Sequence, residues 1–274
     1  MNTIYNTMLA AYPQSTPNER HNAQIEVAQQ IVLAGLARSD FFAQAAFYGG
    51  TCLRIFHGLP RFSEDMDFSL LQNNKDFDWT KYFHYIEQEF LSLGRLVVIT
   101  KKDKRTFGKV ESAFLKDNTE VYNLQFQTEK SIKIKIEVDT CPPLDFQTEQ
   151  KLLMQPYSFY SRCFALPDLF AGKMHALLYR QWKSRVKGRD WYDFEWYIRN
   201  RIPLHFAHLQ ARAKQFNDED LTPDSFSQKL HETINSVNIN SVKADVSPFL
   251  VNPQETEIWS NDYFMQIADR IQLN

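Results

Sequence analysis

Glycine is scarce in this chain, eight residues in 274, so two adjacent glycines at Gly49-Gly50 call for a reason. Cysteine is scarcer. Cys52, Cys141 and Cys163 form an odd, widely spaced trio with no CxxC pair, which excludes a disulfide framework and a zinc site, so all three are read as free thiols. No stretch reaches the roughly 20 consecutive apolar residues of a membrane span. The N-terminal segment has no basic stretch followed by an apolar one, so no signal peptide is expected and the cytoplasm is the expected compartment. A positive surplus is missing as well: 31 Lys and Arg stand against 33 Asp and Glu, which excludes a generic nucleic-acid binder. A nucleic-acid partner would have to meet a local patch. The best candidate is "RQWKSRVKGR" at 180–189, rich in cations and free of acids, although a solvated helix end reads the same way.

What the chain has is core material. With 43% hydrophobic and 14% aromatic residues it can fill one large or two modest domains. Residues 24–37 carry apolar side chains at helical spacing and predict an amphipathic helix. "AAFYGG" reads as a short buried strand running into a turn, and "TCLRIFHG" as a helix with Thr51 as its cap and Gly58 at its end. A helix follows at 79–93, then strands at 95–100, 110–115, 121–127 and 131–139, with a change of register at Pro142-Pro143. From 166 onward the pattern is mostly helical. Residues 1–160 and 161–274 are the expected domains.

Fifteen residues after the second glycine stands an Asp-x-Asp, in "RFSEDMDFSL". Strand alternation puts Met66, Phe68 and Leu70 on one face and Asp65, Asp67 and Ser69 on the other, with Glu64 turned away. Two carboxylates about 7 Å apart along one strand repel unless a cation lies between them. Oxygen-only ligands suit Mg²⁺, which takes one or two carboxylates together with substrate phosphates. The Gly49-Gly50 turn, opening a helix, lets backbone N–H groups approach such a phosphate. Together they describe a site for phosphoryl or nucleotidyl transfer. A structural glycine turn and an ion-paired strand end are the bland readings of the same residues.

"FYGGTCLRIFHGLPRFSEDMDF" at 47–68 resembles the first motif of the AbiEii/AbiGii-type nucleotidyltransferase toxins, a branch of the polymerase-beta-like nucleotidyltransferase superfamily. A second block, "LPDLFAGKMHALLYRQWKSRVKGRDWYDFEWY" at 166–197, resembles the later motifs of that family, a Lys-bearing helix followed by an Arg-Asp-x-x-Asp helix. The resemblance implies an α/β (α+β) nucleotidyltransferase domain with a mixed twisted sheet, followed by a C-terminal helical domain. It implies Mg²⁺ or Mn²⁺ held by Asp65, Asp67 and a third carboxylate from "SIKIKIEVDT", where the family pattern favours Glu137 and Asp139 shares the face. Gly49, Gly50, Thr51 and Ser63 fall on the nucleotide side. Lys173 would hold the triphosphate, with Arg180 as a second cation.

Asp190 and Asp193, three residues apart, share a helix face and are site candidates. Asp190 also reads as an N-cap and Asp193 as a partner of Arg189. The implied activity is transfer of NMP from an NTP to an acceptor hydroxyl, with the 3' end of tRNA as an acceptor, by the toxin of a toxin-antitoxin or phage-defence system restrained by an antitoxin, and with no membrane partner. A non-catalytic NTP-binding or protein-interaction module on the same fold is the alternative. His57 and His175 have no partner at metal-ligand spacing and read as structural. The aromatic cluster from Trp191 to Tyr197 reads as helical core.

Overall fold

A computed structural model describes residues 3–101, 119–127, 132–180 and 186–274. The strand expected at 110–115 and residues 181–185 of the basic stretch lie outside the described residues. The chain forms two compact units. One comprises Met1–Gly58, Phe62–Leu144 and Thr148–Cys163; the other comprises Leu59–Arg61, Asp145–Gln147 and Phe164–Asn274.

In the first unit a seven-stranded mixed sheet is the frame. Its strands are β1 (Ala45–Tyr48), β2 (Met66–Leu70), β3 (Val97–Lys101), β4 (Thr119–Phe126), β5 (Lys133–Asp139), β6 (Thr148–Leu153) and β7 (Phe159–Phe164), in the order β3-β4-β5-β2-β1-β7-β6. β2 pairs antiparallel with β1 and parallel with β5, while β1 runs parallel to β7. β5 lies inside the sheet between β4 and β2, with Ile134, Ile136 and Val138 fully buried on one face. The other face of β5 is kept for charge.

Helices α1 (Thr3–Ala10), α2 (Pro17–Ala37), the short α3 (Phe41–Gln44), α4 (Gly49–His57) and α5 (Phe83–Ser92) complete this unit. α2 starts seven residues before the apolar periodicity suggests. Its entry is fixed by a capping box, in which Thr16 Oγ1 accepts from the Glu19 N–H and the Glu19 carboxylate accepts from the Thr16 N–H, with Pro17 in the first turn. α4 starts at Gly49 rather than at Thr51, with Tyr48 as its cap, so Thr51 is the third helical residue and not the cap expected from sequence. Gly58 ends it as expected, in the left-handed conformation at φ 71°. Between sheet and helices, Phe41 meets Phe68 and Tyr82 edge-on at ring distances of 5.1 and 5.0 Å.

The second unit is helical: α6 (Leu166–Tyr179), α7 (Gly188–Arg199), α8 (Phe206–Asn217), α9 (Pro223–Ser236), α10 (Ile239–Val246) and α11 (Asn261–Ala268). Its core is aromatic. Phe170 stacks on Tyr197 at 4.3 Å, and Trp191 meets Phe264 edge-on at 5.0 Å. Trp191, Tyr192, Phe194 and Tyr197 are buried, which makes the aromatic run core as read from sequence. α7 begins against the backbone of α10: a Cβ on Gly188 would strike the Val242 carbonyl and stand 2.9 Å from the Val246 nitrogen.

α7 ends in a double-bonded turn, with the Arg201 N–H on the Ile198 carbonyl and the Ile202 N–H on the Tyr197 carbonyl. The turn demands a left-handed residue, and here it is Arg201 at φ 56°. Glycine adopts this conformation freely, whereas another residue loses roughly 1–2 kcal/mol.

The packing of α2 on α5 yields a test. A Cβ on Gly35 would sit 2.7 Å from the Ile86 Cα and 3.0 Å from the Tyr85 carbonyl, both backbone atoms that cannot rotate aside. Gly35→Ala gains about 1 kcal/mol of helix propensity. Overpacking of this kind costs about 1–3 kcal/mol, so the substitution is expected to lower the urea midpoint of unfolding, with an unchanged slope.

Candidate active site

The carboxylate site of the first unit is built by strand register. Parallel pairing aligns Asp67 of β2 with Glu137 of β5, and Ser69 with Asp139. Antiparallel pairing on the other side aligns Asp67 with Tyr48, the residue just before α4. Asp67 therefore lies between Glu137 and the start of α4. Asp65 stands one residue before the strand and is half-buried, as Asp67 and Glu137 are.

The helix start is shaped around Asp67. Gly49 has φ 82°, and any Cβ there would collide with the Asp67 carboxylate oxygen. Gly49, Gly50 and Thr51 are the first three residues of α4. Their N–H groups have no partner within the helix, and the helix dipole adds partial positive charge there. The Thr51 hydroxyl is used differently, since it donates to the Asp65 carbonyl and is fully buried. Gln29, also fully buried, donates through Nε2 to the carbonyls of Ser63 and Glu64 at 2.9 and 3.0 Å. These two side chains fix the path of the backbone into Asp65.

The two acids left open on β5 have different surroundings. Asp139 is buried, and its Oδ1 accepts from the Cys141 N–H at 3.1 Å, closing the turn after the strand. Glu137 keeps 23% of its side chain exposed and forms an ion pair with Lys135. Burial works against the Lys135 ammonium, but Glu137, then Asp65 and Asp67, outweigh it and raise its pKa. The Lys135 ammonium thus stands in the field of all three carboxylates. Among the described residues no three His, Cys, Asp or Glu side chains form a ready metal cage. Magnesium asks for less, one or two carboxylates with water and substrate phosphates filling the remaining positions.

In the second unit α6 and α7 bring together the cations and acids of the later motif. Lys173 Nζ lies 2.7 Å from Asp190 Oδ1 and 2.8 Å from Asp193 Oδ2, and Arg180 reaches Asp190 at 4.0 Å. Asp193 is fully buried and is held through both oxygens by Arg61, at 2.6 Å each. Burial pushes both carboxyls up, yet both end below the usual range. Lys173, Lys187 and Arg180 draw Asp190 down, and Arg61 with Lys173 draw Asp193 down. α7 starts at Gly188, so Asp190 is its third residue and not its cap. Lys187 is pushed down to about 8 by burial and then by Arg180, with Asp190 partly offsetting them.

Three members of these clusters were not singled out from sequence. Arg61 lies 132 residues from Asp193, so no local pattern announces the pair. Lys135 and Lys187 each sit in a charged run whose spacing does not rank its members. His57 is partly buried near Glu149 with its pKa lowered to about 4, chiefly by burial, and His175 bonds Asn217 Oδ1 at 2.8 Å. Both have structural surroundings.

Comparison with known proteins agrees with this architecture. The chain aligns structurally with MenT4, the nucleotidyltransferase toxin Rv2826c of Mycobacterium tuberculosis H37Rv, with a TM-score of 0.60 and 13% identity, covering 98% of this chain and 88% of that one. It also aligns with JHP933 of Helicobacter pylori, with a TM-score of 0.50 and 16% identity over 90% of each chain. Both likenesses are of fold. No curated protein sequence matches the chain. No described helix is long and apolar enough to cross a membrane. The sequence profile of the nucleotidyl transferase AbiEii toxins of type IV toxin-antitoxin systems matches residues 31–266, taking in both motif blocks, and the chain is therefore a nucleotidyltransferase belonging to the AbiEii toxin family.

Proposed function

We propose that this nucleotidyltransferase moves NMP from an NTP to a hydroxyl of an RNA acceptor, the tRNA 3' end among them, as a cytoplasmic toxin restrained by a cognate antitoxin. The observation that carries the reading is the register of β2 on β5, which sets Asp67 beside Glu137 and against the start of α4. Charge supports it from both units. Asp65, Asp67 and Glu137 all act on the Lys135 ammonium, a gathering of carboxylates that suits a divalent cation. Arg61, Lys173, Arg180 and Lys187 gather about Asp190 and Asp193, a concentration of cations that suits a triphosphate.

Asp65, Asp67 and Glu137 would hold Mg²⁺ or Mn²⁺, which supplies Lewis-acid neutralisation of phosphate charge when bound. We take Glu137 as the third carboxylate because Asp139 is committed to its own turn. The N–H groups of Gly49, Gly50 and Thr51 bind phosphate oxygens at the helix start, and Ser63 borders them. Lys173 and Arg180 hold the β- and γ-phosphates, with Asp190 and Asp193 keeping Lys173 in place. The acceptor oxygen forms its bond to the α-phosphorus as the bond to the β-phosphate bridge breaks. Glu137 takes the hydroxyl proton and pyrophosphate leaves. Positioning and charge supply most of the rate.

Incubation of the purified chain with Mg²⁺, total RNA and each α-labelled NTP in turn tests this. Label on a discrete RNA is expected, with loss of roughly 10²–10³-fold or more in Asp67→Asn at unchanged thermal stability. An active, normally folded Asp67→Asn enzyme would refute the reading. Gly49→Ala is expected to lose activity comparably, because its Cβ displaces the Asp67 carboxylate, and a crystal structure of the variant would show that shift.

Lys187 sets a pH dependence. Its ammonium is charged below about 8 and neutral above, so NTP affinity is expected to weaken as pH rises from 7 to 9. Lys187→Arg keeps its charge throughout and is expected to flatten that profile in calorimetric titrations.

A further inference from the structure

The far end of α7 carries a second cationic feature. A cleft of about 430 Å³ opens there, walled by Ile198, Ile202 and Ile267 with Tyr263, and bordered by Arg199, Arg201 and Arg270. Its one acid is already satisfied. Glu195 is buried, and its carboxylate accepts from Arg199 at 2.7 Å, from the Trp259 indole at 2.9 Å and from the Tyr263 hydroxyl at 2.5 Å. Asp269, next to Arg270, lies 3.6 Å from His231. Arg201 and Arg270 are exposed and show no side-chain partner among the described residues.

Arg201 is the informative member. It occupies the left-handed position of the turn that ends α7, where glycine is the unstrained choice. Asp218, the other non-glycine residue with positive φ among the described residues, has a short polar side chain of the kind that tolerates this backbone. An arginine gains nothing locally from the same conformation. The chain carries a strained backbone here and a guanidinium at a cleft mouth, which is the pattern of a residue kept for its ligand.

We infer that this cleft binds a phosphodiester of the RNA acceptor, with the Arg201 and Arg270 forks on phosphate oxygens and the isoleucine and tyrosine walls against the sugar and base. The inference rests on RNA being the acceptor proposed above. Guanidinium forks match phosphate geometry, and apolar and aromatic walls accept any base, so recognition would follow shape and charge rather than sequence. Asp190 lies nine residues before Arg199 on α7, roughly 14 Å along the helix axis, so this cleft is distinct from the Lys173 cluster. It also supplies the local basic patch that a chain of net charge -2 requires.

The test is fluorescence anisotropy of a short labelled single-stranded RNA with the full chain, comparing wild type, Arg201→Gly and Arg270→Gln over a salt series. Each substitution is expected to weaken binding about tenfold and to flatten the log-log salt slope by about 0.7 per lost contact. Arg201→Gly is also expected to raise Tm by a few degrees, opposite in sign to its effect on RNA, which separates ligand binding from structural damage. Wild-type affinity and salt slope in both variants would overturn the inference. So would equal displacement by an acidic peptide at matched charge, which would make the ligand a protein. Arginine-dependent binding with no label transferred from any NTP keeps the cleft and removes RNA as acceptor. Labelled RNA with arginine-independent binding removes the cleft and leaves the transferase standing.

Discussion

Uncompensated charge is the constraint around which both units are organised. Parallel pairing of β2 with β5 forces Asp67 and Glu137 into adjacent positions, where like charges repel, and Lys135 answers them from two residues away on the same strand. In the helical unit the problem is burial. Asp190 and Asp193 are removed from water on one face of α7, and an ion withdrawn from water is tolerated only with good partners. Lys173 and Arg61 provide them at hydrogen-bonding distance. The carboxylates around Asp67 and the cations around Asp190 and Asp193 are local clusters of opposite sign, and the chemistry of a metal-assisted nucleotide reaction has a use for each.

Much of this was legible in the sequence, for a physical reason. The apolar, buried face of each strand lets alternation place Asp65 and Asp67 together at β2 and Glu137 with Asp139 on β5 without coordinates, while the choice of Glu137 came from the family resemblance. The long-range partners were not legible. Arg61 follows a proline in a segment with no periodicity, and only the fold reveals what it meets. The strand β6 escaped because it lies at the edge of the sheet and buries none of its residues, so "TEQKLL" shows no apolar face. Thr51 misled in a different way. Threonine is a favoured helix cap, but here the glycine pair allows the helix to begin earlier and frees the hydroxyl to hold Asp65.

The small number of glycines gives each placement weight. Gly35 and Gly188 sit where two backbones approach too closely for a Cβ, Gly49 where a carboxylate does, and Gly58 where a helix must stop. Arg201 is the converse case, a turn that glycine would suit and that the chain fills with a cation. The same conformational rule thus reads in both directions: a glycine marks a space that must stay empty, and a strained arginine marks a charge that must be present.

Leu59–Arg61 belongs to the helical unit although it precedes most of the sheet in the chain. During synthesis this tripeptide emerges long before Asp193, 132 residues later, so the helical unit cannot complete its core as an independent C-terminal piece. A fragment beginning at Phe164 would carry a buried carboxylate stripped of its guanidinium. Folding of the two units is therefore entwined through chain order, and a ribosome must deliver nearly the whole polypeptide before the enzyme can assemble.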